Sequence, residues 1–78
     1  MTAQELRKEI DFGFQDLEFV YNGKFGSICP FNRPNGTIDI YVAFDGEYKD
    51  YTSVDDVMTD KFFDNKALDE ITPYLMFH

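Results

Sequence analysis

The chain has 78 residues, 44% hydrophobic and 18% aromatic, with seven Lys and Arg against fifteen Asp and Glu for a net charge of −8. That charge argues against direct binding to nucleic acid or an anionic membrane, and one cysteine cannot form an internal disulfide. The longest apolar-rich run, Ile38 to Phe44, falls far short of the roughly 18 to 20 residues that cross a bilayer.

A domain this small buries only about 60 to 65% of the surface its unfolded chain exposes, so large side chains must build its core. Nine Phe and five Tyr provide them, each ring able to bury roughly 150 to 250 Å². One domain spanning residues 1–78 is expected. The start Met1-Thr2-Ala3-Gln4-Glu5 has neither the basic nor the apolar region of a signal peptide, which points to a cytoplasmic protein.

Thr2 and Glu5 have capping-box spacing, and Ala3, Leu6 and Ile10 recur at helical steps, predicting an amphipathic helix from Ala3 to about Phe12 that Gly13 ends. Asn22-Gly23 separates the strand-like runs Glu18 to Tyr21 and Lys24 to Cys29, the pattern of a two-residue type I′ hairpin. In that register Leu17, Phe19 and Tyr21 share a face with Gly26 and Ile28, and Val20 shares the other with Phe25 and Cys29. Apolar side chains on both faces mean that the face away from the helices is covered by a terminal segment or by a partner.

Pro30 to Gly36 reads as a loop or an irregular hairpin end. Thr37 to Phe44 alternates as a half-buried strand, with Ile38, Ile40, Val42 and Phe44 on one face and Asp39, Tyr41 and Ala43 on the other. After the Asp45-Gly46 turn, Glu47 to Tyr51 is a short edge strand or an extended connection. Ser53 should cap a helix through Val54, Val57, Met58 and Lys61-Phe62, and Asp64 a last short helix with Leu68 and Ile71, ended or kinked by Pro73. The mostly apolar segment Tyr74 to His78 should dock. The expected class is α+β: an N-terminal helix, an antiparallel sheet of three or four strands, and two short C-terminal helices.

Little catalytic chemistry is visible. Cys29 and His78 are too few to ligate zinc, and His78, at the very end of the sequence, is poorly held for a Ser-His-Asp arrangement. Cys29 has no cation near it in sequence and reads as a small buried side chain. The isolated glycines form no phosphate-binding loop. The EF-hand pattern is absent, and turns or helix starts account for Asp45, Asp55, Asp56 and Asp64. No enzyme activity, cofactor or metal is expected.

Between Asp39 and His78 ten acids face only three lysines, a net of −7 against −1 over the first 38 residues. Within that half, Glu47, Tyr48, Asp50, Tyr51 and Asp60 form a candidate partner surface, since carboxylates and tyrosines together suit a basic protein. A second candidate is the proline-stiffened loop displaying Phe31 and Arg33.

The runs Phe19-Val20-Tyr21-Asn22-Gly23-Lys24-Phe25-Gly26-Ser27-Ile28, Tyr51-Thr52-Ser53-Val54-Asp55-Asp56-Val57 and Asp64-Asn65-Lys66-Ala67-Leu68-Asp69-Glu70-Ile71 resemble small uncharacterised acidic proteins of Gram-positive gut bacteria and their mobile elements. That resemblance implies a fold and a genomic setting but no activity. In element order and acidity alone, the chain is also similar to phage anti-CRISPR proteins that imitate DNA. The leading expectation is a non-catalytic cytoplasmic module that binds another protein, one with a basic surface, through its acidic half or a sheet face, as a monomer or a homodimer through that face. The alternative is a phage or mobile-element inhibitor acting as a nucleic-acid mimic, with Asp45, Glu47, Asp50, Asp55, Asp56 and Asp60 standing in for phosphates.

Overall fold

In the computed structural model, which describes residues 1–13 and 15–78, the first helix, α1 (Ala3–Phe12), starts on a complete capping box. The Thr2 hydroxyl accepts from the Glu5 amide at 3.1 Å, and the Glu5 carboxylate accepts from the Thr2 amide at 2.9 Å. Gly13 closes the helix at φ 67°, a left-handed conformation open to a residue without Cβ.

Strands β1 (Leu17–Tyr21), β2 (Lys24–Asn32), β3 (Ile38–Phe44) and β4 (Glu47–Tyr51) follow, then α2 (Val54–Thr59), α3 (Leu68–Ile71), a 3₁₀ turn (Thr72–Tyr74) and β5 (Met76–Phe77). All strand pairs are antiparallel, and the sheet order is β4-β3-β2-β1-β5. Asn22 and Gly23 at φ 52° and 74°, and Asp45 and Gly46 at φ 51° and 83°, have the paired positive φ values of type I′ turns. These turns set the register: Phe19 lies opposite Gly26, and Phe44 opposite Glu47.

One sheet face carries Leu17, Phe19, Ile28, Ile40, Val42 and Phe44, buried against Leu6 and Ile10 of α1, Val57 and Met58 of α2, and Leu68 and Ile71 of α3. Phe63 fills the space beside β1 and β3, with ring centroids 6.1 Å from Phe19 and 5.4 Å from Phe44. Arg7 braces the helical layer: its guanidinium donates to Asp69 Oδ2 at 2.6 Å and to Asp55 Oδ1 at 3.2 Å, so α1 holds both α2 and α3.

The structure adds to the expected sheet and alters its details. Among the described residues there are five strands, because Glu47–Tyr51 pairs fully with β3 and the segment Met76–Phe77 pairs with β1 as β5. Two residues of β5 are too few to show a period. Pro30 is not in a loop but in β2, opposite Ile40. Pairing of β1 stops at Leu17 opposite Ile28, and the ring nitrogen of Pro30 faces the side that β1 no longer occupies, so no ladder bond is lost.

Ser53 does cap α2, accepting from the Asp56 amide at 3.0 Å, but the helix ends at Thr59 instead of running through Phe62. Phe63, not Phe62, is the fully buried ring. Asp64 caps nothing. Asp64 and Asn65, at φ 56° and 61°, form a tight turn closed by Phe63 and Lys66, and α3 starts at Leu68 with Ala67 as an N-cap that makes no side-chain hydrogen bond. The Asp64 carboxylate accepts from Lys24 Nζ at 2.6 Å, which ties that turn to the β1–β2 hairpin.

Candidate functional site

Strand alternation separates the residues that charge and aromaticity group in the sequence. In β4, Glu47, Lys49 and Tyr51 lie opposite Phe44, Val42 and Ile40, so they point toward the helices, whereas Tyr48 and Asp50 lie opposite Ala43 and Tyr41 on the outer face. Asp60, the C-cap of α2, is on the helix side. The five proposed surface residues therefore occupy two faces.

On the helix side they form a local network. Tyr51 is 6% exposed, and its hydroxyl donates to Asp60 Oδ2 at 2.6 Å. Lys49 Nζ donates to the same oxygen at 2.6 Å and lies 5.5 Å from the Tyr51 ring centroid. Lys49, then Tyr51, hold the Asp60 carboxyl below its ordinary pKa. Burial, reinforced by Asp60, pushes the Tyr51 phenol upward. These contacts join the end of β4 to the end of α2.

On the outer face, two of the five residues of the first candidate, Tyr48 and Asp50, join both residues of the second, Phe31 and Arg33. Phe31 lies in β2 opposite Asp39, Cys29 opposite Tyr41, and Tyr41 in turn opposite Asp50. Arg33 reaches back to pair with the Asp39 carboxylate, with its guanidinium carbon 5.8 Å from the Phe31 ring centroid. Asp39 raises the Arg33 pKa, and Tyr41 adds to the effect. Phe31 and Arg33 thus belong to the same surface as Tyr48 and Asp50.

That surface is open to solvent. Tyr48 is 83% exposed, Met76 71%, Phe25 55%, Phe31 53% and Tyr41 43%. The terminal segment does dock, but edge-on as β5, with the His78 amide donating to Glu18 O at 3.0 Å and the His78 ring centroid 6.3 Å from that of Phe25, and it leaves the rest of the outer face uncovered. The charged strand residues on this face are Glu18, Asp39 and Asp50, all acidic. A shallow cleft of about 240 Å³ near its centre is lined by Ser27, Cys29, Tyr41, Ala43, Tyr48 and Asp50. Burial, then Asp16, pushes the Cys29 thiol upward, which disfavours the reactive thiolate.

Phe25, Cys29, Tyr41 and Met76 complete the surface; Tyr41 lies among the acids of the second half, but charge clustering does not single out the other three. Alternation along β2 and β3 carries the signal for Phe25, Cys29 and Tyr41. The six carboxylates of the nucleic-acid-mimic reading are divided: Asp50 is on the outer face, Glu47 and Asp60 are on the helix side, Asp55 pairs with Arg7, and Asp56 is exposed on α2, where it borders a cleft with Asp50 and Asp60. Asp45 lies at a turn, 4.0 Å from Lys24 Nζ. No single phosphate-like array results.

Among the described residues, no group of three or more His, Cys, Asp or Glu could hold a metal ion, and no helix is long and apolar enough to cross a membrane. No protein-family model, curated protein or solved structure matches the chain.

Proposed function

We propose that the protein is a non-catalytic, cytoplasmic interaction module that binds a protein partner through the outer face of its sheet. The observation that carries this reading is the set of exposed aromatic side chains, Phe25, Phe31, Tyr41 and Tyr48, on a face whose charged strand residues are all carboxylates. Exposed apolar surface with a polar rim is the usual anatomy of a recognition site, and Tyr, Phe and Arg are common anchors there. The charge sets the partner's chemistry: a net of −8 opposes a second copy of this chain and favours a surface with lysines and arginines around an apolar centre.

Affinity capture at low and high salt tests this, comparing the wild-type protein with the triple variant Phe31→Ser, Tyr41→Ser, Tyr48→Ser. The expected result is a protein retained by the wild type at low salt, weakened by salt and lost with the variant, whose circular dichroism is unchanged. Equal recovery by both proteins at either salt would remove the outer face from consideration.

A further inference from the structure

We propose that the partner docks by strand addition, laying an extended basic segment along the free edge of β4 as a sixth strand; this rests on the interaction-module reading and specifies its geometry. β4 is paired only on its β3 side. The two-residue Asp45-Gly46 turn makes Phe44 and Glu47 the hydrogen-bonded closing pair, so Glu47, Lys49 and Tyr51 direct their backbone groups to β3. Tyr48 and Asp50 therefore direct their N–H and C=O groups away from the sheet, as a template for another strand.

Two common protections of an edge, proline and a bulge, are absent from β4, and its remaining guards are the charges of Glu47, Lys49 and Asp50. Glu47–Tyr51 contains no proline and no residue with positive φ. Lys49, the kind of side chain that often guards an edge, is drawn under the sheet by Asp60 at 2.6 Å. At the opposite edge, β5 has two residues and offers much less template.

The surroundings of the edge select the occupant. Between β4 and α2 lies a cleft of about 480 Å³ whose lining includes three carboxylates, Asp50, Asp56 and Asp60, against one cation, Lys49, which Asp60 already pairs. An added strand would point alternate side chains into this cleft and across the outer face. A lysine or arginine directed inward would meet the exposed Asp56 carboxylate, and an apolar side chain directed outward would pack on Tyr48, which is 83% exposed. A second β4 would bring two chains of charge −8 together edge to edge, so the geometry and the charge favour a basic segment from another protein.

The probe is a blocked decapeptide of alternating Lys and Val, titrated into the full chain at low salt. Hydrogen exchange at the Tyr48 and Asp50 amides should slow at least about tenfold at saturation. Asp50→Pro should weaken binding at least about tenfold relative to Asp50→Ala, because proline removes an outward N–H without touching the β3 ladder. Two N-methylated peptides, one blocked at the Val nitrogens and one at the Lys nitrogens, give a readout independent of any protein variant: one should bind and the other fail. Unchanged Tyr48 and Asp50 exchange, or equal binding of the two methylated peptides, would overturn strand addition while leaving recognition by the outer face intact. Absence of saturable binding would also overturn it, and the outer-face reading would then stand or fall on the capture experiment alone.

Discussion

Gly26→Ala should destabilise the protein through a single contact. A Cβ at position 26 would lie 2.4 Å from Phe19 Cζ, 2.7 Å from Cε2 and 3.0 Å from Cε1. Phe19 is fully buried, with the rings of Phe44, Phe63 and Phe77 at 6.2, 6.1 and 6.1 Å, so it has little room to swing aside. Overpacking of this kind costs about 1 to 3 kcal/mol, partly offset by the roughly 0.4 to 1 kcal/mol gained when Gly becomes Ala in the unfolded chain. Because four rings are packed together, the upper part of that range applies, and a net loss of about 2 kcal/mol is expected. For a domain this small, that lowers the Tm by about 8 to 15 °C. Urea unfolding of a double-mutant cycle with Phe19→Leu isolates the contact, since the leucine leaves space for the new methyl group. The cost of Gly26→Ala should then fall to about 0.5 kcal/mol or less. Equal costs in the two backgrounds, or a neutral single variant, would refute the assignment of Gly26 to close packing on Phe19.

The Asp60 network should make stability depend on acid. Its carboxyl is held below the ordinary value of 3.8, so its contribution is fully present above that pH and is lost as pH falls through the lower folded value. Asp60→Asn should flatten the urea midpoint against pH below about 4, and a slope identical to wild type would contradict the role given to Lys49 and Tyr51. Arg7→Lys should lose most of what Arg7→Ala loses, about 1 kcal/mol at low salt and less at high salt, because an ammonium cannot reproduce the fork on Asp69. Thermal unfolding of both variants at two salt concentrations checks this, and full retention of stability by the lysine variant would show that charge alone suffices.

Local signals in the chain were legible because their physics is local. Thr2 with Glu5, Ser53 with Asp56, Asn22-Gly23 and Asp45-Gly46 each satisfy backbone groups or φ angles within four residues, and the structure has all four. Asp64 shows the limit of such reasoning. An aspartate before a helical pattern suits a cap and a left-handed turn alike, and here the turn is accompanied by an ion pair with Lys24, forty residues away in sequence.

The candidate surface was half legible for the same reason. Tyr48, Asp50, Phe31 and Arg33 could be named from chemistry, but grouping Tyr48 with Tyr51 by proximity overlooked the two-residue period that sends them to opposite faces. Tyr51 and Asp60 meet only because the end of α2 returns to β4.

From sequence alone follow the α+β class, the first helix, the hairpin register and the acidic, aromatic character of the chain, all set by periodicity, turn chemistry and composition. Tertiary structure alone decided that the terminal segment extends the sheet at β1 instead of covering it. Its Glu18 and Val20 backbone groups were free to pair there, and that choice leaves the outer face open beside an unpaired β4 edge. Competition among distant segments for the same backbone groups leaves no local mark in the sequence.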